Sequence, residues 1–334
     1  MTKRTVTIAE VAKHAGVAVS TVSYVLSGKR VISADTRRRV LDSVRALGYH
    51  PNAGARALAS RRANVIALVL PLRAGMHVPV LMQFASSVVT AARGFDHDVL
   101  LLTADEGPGG LRRAVGSALV DGLVLMDVEL NDPRVPLLRE LAEPSVLIGF
   151  PADSAGLTCV DLDFAAAGRR CVAHLAERGH REVALLGAPA VVYERGTGFA
   201  RRTREGFEAA IAEHGLRGVA LPCEEAFAQV QATVRELLAA RPGLTGLVVH
   251  NEAAVNHVLE TLRQLGRRVP EDVAVVAICP DDVAERAGPP LTSVLVPAEE
   301  VGREAVRLLM DKLDGRAVPE ATLLEPRLTV RASS

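Results

Sequence analysis

The chain has 334 residues, 49% of them hydrophobic, and its 39 Lys/Arg balance 39 Asp/Glu. That length and apolar content exclude a disordered chain and a single small module, and they suit a head followed by two medium lobes. The neutral total hides an asymmetry: residues 1–62 hold twelve Lys/Arg against three acids, a net of +9, which leaves −9 for residues 63–334. A basic head on an acidic body is the charge footprint of a phosphate-binding module. Cys159, Cys171, Cys223 and Cys279 form no C-x-x-C pair and read as small buried apolar residues of a reducing compartment. No apolar run reaches membrane-spanning length and the first residues lack a signal-peptide core, so a soluble, cytoplasmic protein with no membrane partner is expected.

In the head, Thr7-Ile8-Ala9-Glu10 has the form of a capping box. Ile8, Val11, Ala12 and Ala15 follow at helical spacing, and Gly16 suits a left-handed helix end. Only Val17-Ala18-Val19 separates this helix from a second, predicted over Ser20 to Leu26 with Val22, Val25 and Leu26 inward. Two helices this short and this tightly joined bury their apolar faces by crossing steeply, which is the helix-turn-helix geometry. Ser20, Thr21, Ser23 and Tyr24 then point outward, short hydroxyls suited to phosphates and base edges. A third helix is capped by Ser33, carries Asp35 at its positive end, turns Val40, Val44 and Leu47 inward and stops at Gly48. Beyond it, Pro51 blocks continuation and Asn52 can cap a stretch of about two turns, too short to be a stable helix alone. Gly54 adds about 1 kcal/mol of cost relative to alanine. Leu58, apolar amid Arg56, Arg61 and Arg62, is apt for an intercalating wedge.

The run TIAEVAKHAGVAVSTVSYVLSG, with VISADTRRRVLDSVRALGYHPNAGARALAS after it, closely resembles the head of the LacI/GalR family of transcriptional regulators. The resemblance implies that the second helix enters the major groove with Val19, Ser20 and Tyr24 reading bases. It places Thr7, Thr21, Ser23 and Asn52 on phosphates. It also implies a hinge helix from Asn52 to Ala59, formed only on the operator in the minor groove, with Leu58 inserted at a base step and Arg56 and Ala59 in the same DNA-binding stretch. Two residues depart from the family pattern. Ala18 stands where a capping serine is usual, a loss of about 1 kcal/mol, and Gly54 replaces the valine through which paired hinge helices touch. Both imply a looser operator grip.

After Arg62 short apolar runs alternate with helix-length amphipathic segments: VIALVL (65–70), DVLLLT (98–103), GLVLMD (122–127), SVLIGF (145–150), EVALLG (182–187), TGLVVH (245–250), DVAVVAI (272–278) and TSVLV (292–296). Continuous apolar strands separated by helices mean doubly wound parallel sheets, which bind ligands at the carboxyl ends of their strands. Eight strands exceed one compact sheet, so two lobes with a cleft between them are expected. The phrases VDGLVLM, HLAERGHREVALLG, REGFEAAIAEHG, RVPEDVAVVAI and PPLTSVLVPAEEVGREAVRLL resemble the same family's core, a periplasmic-binding-protein-like fold. The resemblance implies that the chain crosses between lobes near residues 162, 292 and 324. The expected organisation is a head over 1–50, a hinge and linker over 51–62, and an effector-binding and dimerisation core over 63–334.

By position in that family, Leu72, His77, Asn251, Glu252 and Asp281 are the candidate effector contacts. Phe150, Phe164 and Tyr193 are the aromatics available for stacking on a ring, and each can equally be core. The arginine usual three residues before the glycine of the GF pair is Thr203 here, with Arg201, Arg202 and Arg204 around it; Arg202 is the candidate substitute. Val296 replaces a usual glutamine, Glu252 an aspartate and Phe164 an asparagine. A sugar or sugar derivative is the favoured effector; a regulator that dimerises and binds DNA without a ligand is the alternative.

HNEAAVNH (250–257) spaces its histidines seven apart, not the four that a zinc helix needs. No G-x-S-x-G, G-x-G-x-x-G or phosphate-loop pattern follows a strand, so no nucleophile elbow, cofactor or nucleotide site is supported. The sequence reads as a non-enzymatic, allosteric repressor without metal or cofactor. It is expected to be a homodimer on a near-palindromic double-stranded operator, because a two-fold dimer requires matching symmetry in the DNA.

Overall fold

The structure is a computed structural model and describes residues 6–27, 30–49, 62–117 and 119–334. Two compact units divide the chain, Met1–Ala63 and Asn64–Ser334. The expected hinge helix, with Asn52, Arg56, Leu58 and Ala59, lies outside the described residues.

In the first unit, helix α1 (Ile8–Ala15) starts on a reciprocal capping box. The Thr7 hydroxyl accepts the Glu10 N–H at 3.3 Å, and the Glu10 carboxylate accepts the Thr7 N–H at 2.8 Å. Gly16 at φ +64° and Gly48 at φ +60° end α1 and α3 (Ala34–Leu47) in the left-handed conformation, open to glycine without strain. Helix α2 (Val19–Ser27) begins one residue before the expected Ser20, because the Ala18 carbonyl already accepts the N–H groups of Thr21 and Val22. Val11, Ala12, Ala15, Val22, Val25 and Val40 form the core, joined by Tyr49, which the helical pattern did not place inside.

The second unit holds two six-stranded sheets. Strands β1 (Val65–Val69), β2 (Asp98–Leu102), β3 (Gly122–Leu125), β4 (Ser145–Ile148), β5 (Cys159–Leu162) and β11 (Ala321–Leu324) lie in the order β11-β5-β4-β3-β1-β2. Strands β6 (Glu182–Gly187), β7 (Arg217–Pro222), β8 (Gly246–Val249), β9 (Ala274–Cys279), β10 (Thr292–Leu295) and β12 (Leu328–Thr329) lie in the order β12-β10-β9-β8-β6-β7. Every named pairing is parallel except β10 with β12. The described residues therefore contain four strands, β5, β7, β11 and β12, beyond the eight expected.

Helices cover both faces, as parallel sheets require. They are α4 (Val78–Arg93), α5 (Gly107–Gly116), α6 (Val135–Glu140), α7 (Phe164–Glu177), α8 (Ala190–Glu194), α9 (Gly198–Glu213), α10 (Phe227–Ala240), α11 (Val255–Gln264), α12 (Asp281–Arg286) and α13 (Ala298–Leu313). The chain passes between sheets from β5 into α7, from β10 into α13, and between β11 and β12. The middle passage thus follows β10, a few residues beyond the expected position near 292. Helix α13 packs on the first sheet: Leu309 lies against Gly122, and the Lys312 ammonium donates to the Ser145 carbonyl at 2.9 Å. No helix among the described residues is long and apolar enough to cross a membrane.

Candidate functional site

Two sets of residues have the chemistry of sites. The first is the outer face of α2. Val19, Ser20 and Ser23 are exposed there, and Thr21 and Tyr24 are half-buried, while Val22 and Val25 anchor the helix in the core. Spacing alone produces this division, since successive turns return to the same side. The Arg30 guanidinium stacks over the Tyr24 ring at 5.8 Å, a cation–π contact that holds both at the same edge. Thr7 is exposed, but its hydroxyl is engaged in the capping box of α1, so any phosphate it meets shares that oxygen. Asp35 pairs with Arg38 and Asp42 with Arg45 on the same helix, while the exposed Lys13, Arg30, Arg37 and Arg39 have no acidic partner among the described residues.

The second is a cavity between the two sheets of the core. Residues at or just past the carboxyl ends of six strands line it: Met126 and Asp127 after β3, Gly149 after β4, Asp161 near the end of β5, Ala188 after β6, His250 to Glu252 after β8, and Val296 after β10. Phe164, Phe199 and His250 form one aromatic wall, with ring centroids 5.5 to 5.6 Å apart. Burial pushes the Asp161 and Glu252 carboxyls up to about 7, with Glu225 adding to the second, and lowers His250 to about 4. A neutral imidazole in the wall follows at pH 7.

Several buried polar atoms facing this cavity have no protein partner: Asp127 Oδ1, Glu225 Oε1, His250 Nδ1, and Nε and Nη2 of Arg195. Buried polar groups are normally paired, so such a cluster in a concavity marks where a ligand's own groups would go. Asp127 is further held at φ +52°, a left-handed conformation uncommon for a residue with a side chain and concentrated at functional sites. Its second oxygen accepts from Arg73 at 2.9 Å. Arg73 is also bound side-on by Asp105, whose hydrogen bonds raise the guanidinium's pKa further while Arg73 lowers that of Asp105.

Of the residues expected from sequence, His77, Asn251, Glu252 and, among the aromatics, Phe164 line the cavity. The Asn251 amide is used by the fold, its Nδ2 donating to the Cys223 carbonyl at 2.7 Å. Five others lie elsewhere. Leu72 is half exposed on the loop after β1, its N–H tied to the Thr103 carbonyl. Arg202 turns to the Phe150 and Pro151 carbonyls and over the Phe150 ring, which takes both residues outside the cavity lining. The Tyr193 hydroxyl lies against Gly187, and Asp281 is paired with Arg331 at 2.9 Å.

The residues that sequence reasoning missed are Asp127, Asp161, Arg195, Glu225 and His250. Asp127 and His250 are the last letters of two predicted strand runs, a polar residue at a carboxyl end, and that signal was available. Nothing in the spacing points to Arg195 or Glu225. The two histidines of HNEAAVNH part company: His250 enters the cavity wall while His257 packs on Phe227 at 5.4 Å. All four cysteines are buried, and burial pushes the Cys223 thiol up to about 11 and Cys159 to about 12, so neither is a nucleophile at neutral pH.

Comparison with known proteins agrees with this division of labour. Residues 7–52 match the family described as bacterial regulatory proteins, lacI family, and residues 172–334 match the periplasmic binding protein-like domain. The HTH-type transcriptional regulator CelR of Thermobifida fusca is 34% identical, over 99% of this chain and 99% of its own. A solved CelR–cellobiose complex is 31% identical with a TM-score of 0.69, covering 98% of this chain and 100% of that one. The lac repressor dimer bound to operator and the anti-inducer ONPF has the same fold, with a TM-score of 0.84 at 22% identity and 99% coverage of both chains. A relative so similar along the full length, and a head and core that match as separate domains, establish that this chain is a DNA-binding transcriptional regulator, not an enzyme, and a member of the LacI family.

Proposed function

We propose that the chain is a sugar-responsive repressor that works in the cytoplasm as a homodimer on a near-palindromic operator. Two heads read two half-sites, with Val19, Ser20 and Tyr24 at base edges and Thr7, Thr21 and Ser23 on phosphates. Residues 52–59 fold as a hinge helix on the operator, where Asn52 holds a phosphate and Leu58 enters a base step beside Arg56 and Ala59. A ligand in the cavity between the sheets favours one lobe arrangement over another, and the linker passes that bias to the heads.

One observation carries the effector half of this reading: buried polar atoms without protein partners converge at the carboxyl ends of both parallel sheets, beside an aromatic wall. Hydroxyl groups satisfy such atoms, and a sugar's apolar ring face suits the wall. The experiment is a thermal-shift screen of neutral sugars, headed by cellobiose, followed by operator binding with and without each hit. A sugar that raises Tm and also changes operator affinity supports the reading. Silence across the panel, with intact operator binding, would favour a regulator that dimerises and binds DNA without a ligand.

A further inference from the structure

We infer that Arg195 is the residue that grips the effector, and that the cavity takes an uncharged polyol through adjacent hydroxyls and rejects sugar phosphates and sugar acids. This rests on the reading of the cavity as an effector site.

The arginines around Thr203 are all otherwise engaged. Thr203 itself is fully buried and donates to the Phe199 carbonyl. Arg201 donates to the Tyr193 carbonyl, Arg202 to those of Phe150 and Pro151, and Arg204 to the Glu208 carboxylate. Arg195, in the turn after α8, reaches the cavity from a different direction.

Its Nη1 donates to the Ala74 carbonyl at 2.8 Å, on the loop after β1 and therefore across the cleft. That bond fixes the guanidinium plane. Nε and Nη2 are buried and lack a protein partner. They form the same edge that Arg73 presents to Asp105, where the two bonds are each 2.8 Å. Such an edge seeks two oxygens side by side, which a carboxylate, a phosphate or a vicinal diol supplies.

The rest of the lining chooses among these three. Asp127 Oδ1 and Glu225 Oε1 are acceptors without donors, and Asp161 and Glu252 share the cavity. A ligand must accept from Arg195 and donate to carboxylates. Hydroxyl groups do both. A phosphate or carboxylate group only accepts, and it would bring a negative charge beside Asp127 and Glu225, where Arg195 is the one guanidinium in the lining and Arg73 pairs with Asp127 from outside it. His250, 4% exposed, presents its partnerless Nδ1 beside Phe164 and Phe199, so one face of the ligand meets carbon while its edge meets donors and acceptors.

Arg195 has a second consequence through Nη1. The residue that would hold the ligand already bridges the two lobes, and the Gly196 carbonyl next to it accepts the Leu130 N–H at 2.8 Å, also across the cleft. Filling the edge of Arg195 orders this bridge and so favours the closed lobes.

The test uses full-length protein and calorimetric titration with cellobiose, glucose and lactose as neutral probes and glucose 6-phosphate and gluconate as anionic ones. Wild type is expected to bind at least one neutral probe and neither anion. Arg195→Gln should weaken that binding about 50-fold, and Arg195→Lys, which keeps the charge but loses the edge, about 10-fold or more. Arg204→Ala, next to Thr203, should bind as wild type. Full binding by Arg195→Gln, or by Arg195→Lys if the glutamine variant does not fold, overturns the role of Arg195 while leaving the effector site standing. Preference for an anionic probe overturns the ligand class. Failure of wild type to bind any probe removes the effector reading itself and this inference with it.

Discussion

At the scale of single residues the core concentrates its costs in the cavity. Asp161 is buried on β5, with one oxygen accepting the Leu162 N–H at 2.9 Å, and its burial outweighs both that bond and the attraction of Arg202. An ordinary aspartate titrates at 3.8, whereas this one is pushed up to about 7. Between those values the folded protein keeps a proton that the unfolded chain has released, so Asp161 makes stability fall as pH rises through the window. Above pH 7 its full penalty is present. Glu252 contributes in the same direction, whereas His250, lowered to about 4, adds stability as pH rises from there toward 6.5. Replacing Asp161 by asparagine leaves those other groups in place, so comparing the variant with wild type isolates its contribution. Asp161→Asn should show an unchanged Tm near pH 4 and a Tm progressively above wild type from pH 5 to pH 8. Calorimetry across that range checks it; a constant difference at every pH would assign the effect to packing instead of charge.

At the scale of elements, the contact between α7 and α9 shows how a backbone requirement becomes a sequence letter. A methyl added at Gly206 would lie 2.0 Å from the Ala165 carbonyl oxygen, and one at Gly168 would lie 2.4 Å from that of Thr203. Neither neighbour is a flexible side chain that can move aside. Gly206→Ala should therefore cost about 3 kcal/mol in urea unfolding, the upper end of overpacking penalties. Gly109→Ala, with nothing within 4 Å of the new methyl, should be neutral or slightly stabilising. The same contrast between local pattern and tertiary demand explains what the sequence revealed. The three head helices and eight strands were legible because caps and apolar runs are local. Strand β5 was not, since Asp161 interrupts a four-residue run, nor was β7, which carries Arg217, Gly218 and Pro222. Strands β11 and β12 are short and lie at sheet edges, where the apolar signal is weakest. In the cavity, Asp127 and His250 could be read from the ends of their strands. Arg195 could not, because its role depends on a turn after α8 meeting a loop after β1, and no spacing within either segment encodes that meeting.

For the whole molecule, the separation of charge sets two kinds of binding with different responses to salt. The first 62 residues carry +9 and the remainder −9. A head that neutralises phosphates releases condensed counterions, so operator affinity should fall about 10³-fold or more between roughly 50 and 200 mM salt. An uncharged ligand in the buried cavity releases none, and its affinity should stay within about two-fold over the same range, because screening acts weakly on groups removed from solvent. Tyr24 is half-buried on α2 under Arg30, and its proposed role is base reading and not phosphate grip. Tyr24→Ala should thus weaken the specific operator by about 1–3 kcal/mol, leave affinity for scrambled duplex nearly unchanged, and keep the salt slope. Fluorescence anisotropy on matched and scrambled duplexes at several salt concentrations measures all three quantities. An equal loss on both duplexes, or a flattened slope, would move Tyr24 from base reading to backbone contact and shift the discrimination to Val19 and Ser20 at the start of the same helix.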